Sequence, residues 1–408
     1  MTISIANKIY YIILTISLFV SLYFGIDSAG SGGFRTDFST TWGLVEQPFR
    51  SDLTEYDIKF PLHYYIASFF YLILNDIDLF RVTYCIIGSS IPFIFYLCLK
   101  KKFINVNLNN LFLFSLIIFL MPSFRAAAIW PNTQITAIFF FLITIFFYLS
   151  WETKKQFNVI NKELILTIIF MSLTVYTRQL YAMIFFYLLF EFYQKMNIKI
   201  FIKISMIIFI LALPGFAFIY FWPRILQATF EFKLHNSLLV NSSIISFYLV
   251  PFFFIMKKAS KISIISDRKD YCVLIILTIF VYICSVFFDY NFNMGGGFIT
   301  KLSLLLFDNL YLFFISSIFG FYLLYVLGKE SLMNVLLILI ILFSFSAYII
   351  FQKYFEPMFI LLLFFFFKTD LTKLFLDKKF NIYLLHIYFV IYLSSAIIND
   401  LFRLTKNL

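Results

Sequence analysis

Residues 199–222 read KIFIKISMIIFILALPGFAFIYFW, and the last 19 of them carry no charge. A bilayer crossing needs about 20 consecutive apolar residues, so this stretch is long enough to span a membrane as a helix. The pattern recurs, since 62% of the 408 residues are hydrophobic, 13% are charged and the mean hydropathy is +0.94. Soluble proteins carry about 25% charged residues. The sequence therefore predicts an all-α, polytopic membrane helix bundle, and excludes a soluble enzyme, a disordered protein and a nucleic-acid-binding module.

Apolar runs bounded by charged or turn residues continue along the whole chain, and we expect about 13 of them to cross the membrane. They are 8–26, 81–99, 109–124, 132–150, 163–177, 179–193, 199–222, 243–256, 271–288, 310–328, 331–350, 354–368 and 380–398. One further run, 61–75, begins with Pro61 and is short for a crossing. No composition shift or low-complexity linker separates the runs, which predicts a single integral membrane domain over residues 1–408.

The distribution of positive charge tests the interpretation of 61–75. If this run lies on the membrane surface, 20 of the 32 basic residues and 8 of the 21 acidic residues fall on one side of the membrane. Cytoplasmic loops are enriched in Lys and Arg, so that side is predicted to be the cytoplasm, which also contains the N-terminus. The C-terminus is then outside. The longest outer segment is the first loop, 27–80, with 61–75 as its juxtamembrane helix.

Ionisable side chains near the hydrocarbon core cost about 2.5–3.5 kcal/mol each, so those predicted at the outer edge are candidates for function. Arg178 stands between two short apolar runs, and its guanidinium fork matches a phosphate group. It could instead reach to the membrane interface or pair with a carboxylate of the first loop. Lys353 could bind the same anion or pair with Glu356. Arg125 could bind it or simply lie at a helix end.

Asp37 is a candidate general base. It follows the flexible sequence Ser28-Ala-Gly-Ser-Gly-Gly33, which leaves the first predicted span. A carboxylate held above a hydrophobic cavity gains proton affinity by partial desolvation, which suits it to accept a proton. The alternative is a solvated loop carboxylate without a catalytic role.

The order of features in the first loop resembles the GT-C superfamily of membrane glycosyltransferases, which take sugars from polyprenyl-phosphate donors. A first span is followed by Asp37, then by YDIKFPLHYY at 56–65, an apolar helix, and Arg81 at the start of the next span. The resemblance implies a helix bundle of GT-C type with outer juxtamembrane helices, which agrees with the arrangement that the charge distribution favours.

Three short motifs are similar to those of the dolichyl-phosphate-glucose-dependent α-1,2-glucosyltransferases within that superfamily. Asp57-x-Lys59-x-Pro61-Leu62-x-Tyr64 resembles their Trp-Asp-Pro-Lys…Pro-Pro-Gly-Leu-Tyr segment. Arg178-Gln179 resembles their Arg-Gln-Thr-Asn motif. Lys353-Tyr-Phe-Glu-Pro357 resembles their late Arg-Tyr-Tyr…Pro motif.

The resemblance implies an inverting glycosyltransferase in which Asp37 deprotonates an acceptor hydroxyl. The cations that would stabilise the departing donor phosphate are Arg178, Lys353, Arg125 and Lys59. The side chains that would line the acceptor or sugar pocket are Trp42, Glu46, Asp57, His63 and Tyr64. The expected partners are a polyprenyl-phosphate-linked sugar, a glycan or lipid-linked acceptor and membrane lipids. No cofactor and no metal are expected. The predicted location is the bacterial inner membrane, with the active site on its outer face.

Two other classes of protein remain as alternatives. An O-antigen-type polymerase or ligase would carry catalytic Arg and His residues on a large late outer loop, whereas the predicted loop at 289–309 is Gly-rich and modest. A lipid or saccharide transporter would place charges at the middle of the bilayer and often has an internal repeat. In this sequence the charges collect at one edge and no repeat is evident.

Overall fold

The structure is a computed structural model that describes residues 3–29, 33–48, 60–221, 233–256, 268–290, 292, 295–344 and 349–406. All regular structure in these ranges is helical, which confirms the predicted all-α class. The α-helices in chain order are α1 (Ile5–Phe24), α2 (Gly33–Glu46), α3 (Leu62–Leu74), α4 (Ile77–Lys102), α5 (Leu108–Ser115), α6 (Pro122–Ile129), α7 (Thr133–Lys154), α8 (Lys162–Thr177), α9 (Ile184–Lys195), α10 (Ile198–Phe221), α11 (Leu234–Met256), α12 (Arg268–Val286), α13 (Gly297–Phe307), α14 (Tyr311–Gly328), α15 (Leu332–Ser344), α16 (Met358–Phe365), α17 (Leu371–Asp377) and α18 (Lys379–Lys406).

Eight of these helices are long and apolar enough to cross a membrane, namely α1, α4, α7, α10, α11, α12, α14 and α18. A ninth candidate is the bent pair Leu108–Leu120 and Pro122–Ile129, whose axes differ by 69°. The protein is therefore an integral membrane protein. Pro122 begins the second half of the pair, a position where proline needs no N–H partner.

The other four predicted spans correspond to shorter helices. Residues 163–177 form α8, whose 16 residues measure about 24 Å, less than the roughly 30 Å of hydrocarbon. Residues 179–193 form a 3₁₀ turn, Gln179–Met183, followed by the 12-residue α9. Residues 331–350 and 354–368 contain α15 and α16, with 13 and 8 residues. The number of about 13 spans stays a prediction.

The chain divides into two compact units. The first unit comprises Met1–Ile225 and Leu376–Leu408, and the second comprises Leu226–Phe375. The first unit therefore contains both ends of the chain. The amino-acid sequence shows no change of composition at either boundary, so the division follows from packing alone.

In the first unit, α18 runs parallel to α1. The hydroxyl of Tyr10, in the first half of α1, lies 3.1 Å from Nδ1 of His386. After the other end of α1, the backbone N–H of Asp27 donates to the carboxylate of Asp400 over 3.0 Å. We call the end of the first unit that contains Asp27 and helix α2 the α2 end.

In the second unit, α11 and α14 approach closely through small residues. The hydroxyl of Ser242 donates to the carbonyl of Ser317 over 2.7 Å. A Cβ atom added to Gly320 of α14 would overlap the backbone carbonyl of Ser242. Glycine at this position therefore lets the two helix backbones come together.

We expect Gly320→Ala to lower the free energy of unfolding of the protein by about 1–3 kcal/mol, because the backbones must separate to admit a methyl group. Gly328→Ala on the same helix is the matched control. Its Cβ would lie 3.4 Å from the nearest atom of Ile338, an ordinary contact, and alanine favours the helix. Unfolding of both variants in a titration with sodium dodecyl sulfate measures the difference. Equal stability of the two variants would contradict the close packing at Gly320.

Candidate functional site

Asp37, the predicted general base, lies on helix α2 rather than in an irregular loop. Its side chain is half-buried. The buried carboxylate of Asp27 accepts the backbone N–H of Arg35 over 2.9 Å in the first turn of α2, and the N–H of Ala29 over 3.1 Å. Asp27 thereby fixes the start of the helix that carries Asp37. The capping carboxylate therefore stabilises a helix within the predicted first loop.

Asp27 is itself a site feature that the sequence did not reveal. Burial raises the pKa of its carboxyl group, the nearby Asp400 raises it further, and the backbone N–H groups of Arg35 and Ala29 oppose the shift. The two aspartates are 373 residues apart in the chain. No local pattern around either residue could have indicated the pair.

Arg178, the predicted phosphate ligand, lies at the α2 end as well. Helices α7 and α8 form an antiparallel hairpin, and the ammonium of Lys154 contacts the carboxylate of Glu163 over 2.8 Å beside the connection between them. The opposite end of the hairpin therefore carries Arg178, which caps the C-terminus of α8 in an extended conformation. That end of the hairpin also carries Trp130, whose ring lies 5.7 Å from the ring of Phe38 on α2.

Asp37 and Arg178 thus stand at the same end of the same unit. Helix α2 packs against α3, and α3 packs against α8. Both side chains are half-buried. Residues some 140 positions apart in the sequence are thus brought to one end of the first unit.

Arg125, a second predicted phosphate ligand, is buried among neutral acceptors. Its guanidinium donates to the hydroxyl and carbonyl of Ser17 over 3.1 and 2.7 Å, to the hydroxyl of Ser21 over 2.8 Å and to the carbonyl of Phe119 over 3.3 Å. These bonds join α6 to α1. Arg125 therefore stabilises the packing of these two helices. Its predicted binding of a phosphate stays a prediction.

Trp42 and Glu46, predicted to line a sugar pocket, lie one turn apart on α2. The indole N–H of Trp42 donates to the carboxylate of Glu46 over 2.8 Å. The Trp42 ring also packs against the rings of Phe38, Tyr71 and Phe80. The pair therefore offers an exposed carboxylate beside an aromatic surface, a combination that suits a sugar.

His63 and Tyr64, also predicted for that pocket, are buried on α3. Nδ1 of His63 lies 2.9 Å from the hydroxyl of Thr136 on α7, and its ring packs against Tyr64 and Tyr84. The contacts of His63 therefore join α3 to α7 and α4. Contact of His63 or Tyr64 with a sugar stays a prediction.

Three predicted residues remain, namely Asp57, Lys59 and Lys353. Lys59 and Asp57 lie outside the described residues. Lys353 belongs to the second unit, in the 3₁₀ turn Gln352–Tyr354, and its ammonium lies 4.9 Å from the centre of the Phe351 ring. Glu356, the alternative partner considered for Lys353, is buried and accepts a hydrogen bond from the hydroxyl of Tyr248 over 2.9 Å.

Arg35, Arg81 and Trp130 form a cationic cluster that was not predicted from the sequence. The guanidinium carbon of Arg35 lies 5.2 Å from the centre of the Trp130 ring, and that of Arg81 lies 4.0 Å from it. Arg81 appeared in the sequence only as the residue that opens a span. Trp130 follows α6, and the three residues meet because α2, α4 and α6 converge at the α2 end.

In the described part of the chain, no three His, Cys, Asp or Glu side chains are grouped so that they could hold a metal ion. Comparisons of the chain with family models, with curated proteins and with solved structures found no match.

Proposed function

We propose that the protein is an inverting membrane glycosyltransferase that moves a sugar from a polyprenyl-phosphate donor to a glycan or lipid-linked acceptor. The observation that carries the proposal is the presence of Asp37 and Arg178 at the same end of the first unit. A half-buried carboxylate can accept a proton, and a guanidinium can stabilise a phosphate. Trp42 and Glu46, on the same helix as Asp37, add groups that suit a sugar.

In the proposed reaction, the carboxylate of Asp37 takes the proton of an acceptor hydroxyl. The hydroxyl oxygen attacks the anomeric carbon from the face opposite the phosphate, and the bond between that carbon and the phosphate oxygen breaks. The electron pair leaves with the polyprenyl phosphate, whose charge Arg178 stabilises. Lys353, Arg125 and Lys59 are the further cations proposed from sequence for this role.

The proposed orientation places the N-terminus in the cytoplasm and the α2 end at the outer face of a bacterial inner membrane. The charge distribution supports it, because the Lys-rich loops are then cytoplasmic. The parallel course of α1 and α18 fits an odd number of spans, which puts the two ends of the chain on opposite sides. The donor is proposed to enter from the lipid beside the exposed apolar side chains of the bundle.

The proposal is tested with purified protein in lipid nanodiscs, supplied with a set of polyprenyl-phosphate sugars and a membrane glycolipid extract as acceptor. We expect release of polyprenyl monophosphate together with a glycosylated acceptor. A transporter would move the donor without breaking its bond, and an O-antigen-type enzyme would release a diphosphate from its own donor. If every polyprenyl-phosphate sugar in the set remained intact after incubation, the proposal would be overturned.

A further inference from the structure

The cluster of Arg35, Arg81 and Trp130 contains three buried N–H donors without an acceptor. Among the residues that the structure describes, Nε of Arg35, Nη2 of Arg81 and Nε1 of Trp130 have no hydrogen-bond partner. A buried donor that finds no acceptor costs about 1–3 kcal/mol. Three such donors around one indole ring therefore indicate a site that lacks its acceptor.

The charges of the cluster are also uncompensated. The only carboxylate that the structure shows in contact with either guanidinium, within the described residues, is that of Asp78, at 3.4 Å from Nη1 of Arg81. The Asp78 side chain is 82% exposed, whereas that of Arg81 is 13% exposed. A long contact to a solvated carboxylate screens little of the charge of a guanidinium. The cluster thus carries about two positive charges at the α2 end of the first unit.

The remaining contacts of the cluster hold it in place. Nε of Arg81 donates to the carbonyl of Ile129 over 3.0 Å, and Nη2 of Arg35 donates to the carbonyl of Gly25. Each arginine therefore uses one part of its guanidinium to anchor itself and leaves another part unused.

We infer that Arg35, Arg81 and Trp130 form a binding site for a phosphate monoester group. A phosphate monoester carries nearly two negative charges and three terminal oxygens, which matches two guanidiniums and three unused donors. Exposed apolar side chains lie next to the cluster, namely Tyr23 and Phe24 at the end of α1 and Ile77 and Leu79 at the start of α4. A phosphate with a lipid tail fits this surface. The anion enters beside Arg81, where the carboxylate of Asp78 contacts the guanidinium and would compete with the phosphate.

The inference does not depend on sugar transfer, because it concerns binding by three residues outside the predicted phosphate set. It is tested by equilibrium binding to the purified full-length protein in nanodiscs of neutral lipid. The probes are farnesyl phosphate, farnesol as the same tail without the anion, and inorganic phosphate as the anion without the tail.

We expect Arg81→Gln to weaken the binding of farnesyl phosphate by about tenfold or more. The matched control is Lys100→Gln, which removes one positive charge from the other, exposed end of α4; its affinity should stay within about twofold of the natural protein. Farnesol should bind all variants equally and weakly. The inference would be overturned if farnesyl phosphate bound Arg81→Gln as tightly as the natural protein. It would also be overturned if farnesyl phosphate bound the natural protein no more tightly than farnesol.

Asp78→Asn supplies a test that does not risk the fold, because the side chain is exposed. Removal of the competing carboxylate should strengthen the binding of farnesyl phosphate by about two- to fivefold. If farnesyl phosphate bound Asp78→Asn with unchanged or lower affinity, the anion would not enter beside Arg81.

The comparison of the probes identifies the natural ligand. If inorganic phosphate binds as tightly as farnesyl phosphate and with the same dependence on Arg81, the ligand is a free phosphate. If inorganic phosphate binds more weakly, the ligand is a lipid phosphate. Both results support a phosphate site.

The same experiment separates this site from the proposed function. If sugar transfer is absent while binding depends on Arg81, the proposed reaction fails and the phosphate site stands. If sugar transfer occurs and Arg81→Gln leaves binding unchanged, the reaction stands and the site fails.

Discussion

The Asp37→Asn variant is expected to lose sugar transfer by about 10²–10⁴-fold in kcat, the range by which a positioned general base accelerates a reaction. Asparagine has nearly the shape of aspartate, so α2 should keep its position. Its amide has no lone pair basic enough to accept the acceptor's proton. Because Asp37 acts on the acceptor, the donor concentration for half-maximal rate should change little. Release of polyprenyl monophosphate from a saturating donor measures the rate.

Asp308→Asn is the control for this experiment. Asp308 is an exposed aspartate that ends α13 with a φ of 51°, a left-handed conformation that asparagine accepts readily. Its substitution removes one carboxylate without touching the proposed machinery, and turnover should be unchanged. A rate for Asp37→Asn equal to that of Asp308→Asn would remove the general-base assignment, and another group would then have to take the proton.

The sequence predicts most of the helices because each apolar run can be recognised from consecutive residues alone. The run 61–75 is the clearest example: it is a short helix, Leu62–Leu74, flanked by Pro61 and by Asn75 in a left-handed conformation. Helix α2 was not predicted from the sequence, because GFRTDFSTTWGLVE has few strong helix formers and a mixed polar pattern. Its stability comes from the packing of Phe34 and Phe38 and from the carboxylate of Asp27, which are tertiary contacts.

The candidate site was predictable only in its general character. Charged residues in a membrane protein are few, so Arg178 could be selected by its cost in apolar surroundings. Asp37 could be selected by its position after the first span and by the resemblance. The surroundings of each charged residue within the bundle could not be predicted from the sequence. Arg125 and Arg178 look alike in sequence, each an arginine beside apolar runs, yet Arg125 is buried among serine and carbonyl oxygens. The cluster of Arg35 with Arg81 and Trp130 could not be predicted, because these residues are distant from one another in the chain.

Arg125→Ala is expected to lower the free energy of unfolding by about 3–5 kcal/mol, the range seen when a large buried side chain is truncated and a cavity remains. The guanidinium joins α6 to α1 through Ser17 and Ser21, which lie eight and four residues before Gly25, the residue that caps the end of α1. Loss of that fastening should loosen the segment that leads from α1 to Asp27. Unfolding in a titration with sodium dodecyl sulfate, without donor present, isolates this structural effect from any effect on binding.

Arg125→Lys distinguishes the geometry of the guanidinium from its charge. A lysine keeps the positive charge, but its single ammonium cannot reach Ser17, Ser21 and Phe119 together as the planar fork does. We expect an intermediate loss of about 1–3 kcal/mol, corresponding to one or two hydrogen bonds of a charged group. If Arg125→Ala were as stable as the natural protein, the bonds to α1 would contribute nothing measurable to stability, and the phosphate role predicted from sequence would be the remaining reason for an arginine there. If both variants lose stability in the expected order, the cost of burying this cation is offset by the joining of α1 and α6, and the proposed reaction must draw its phosphate-binding cations from the other arginines and lysines.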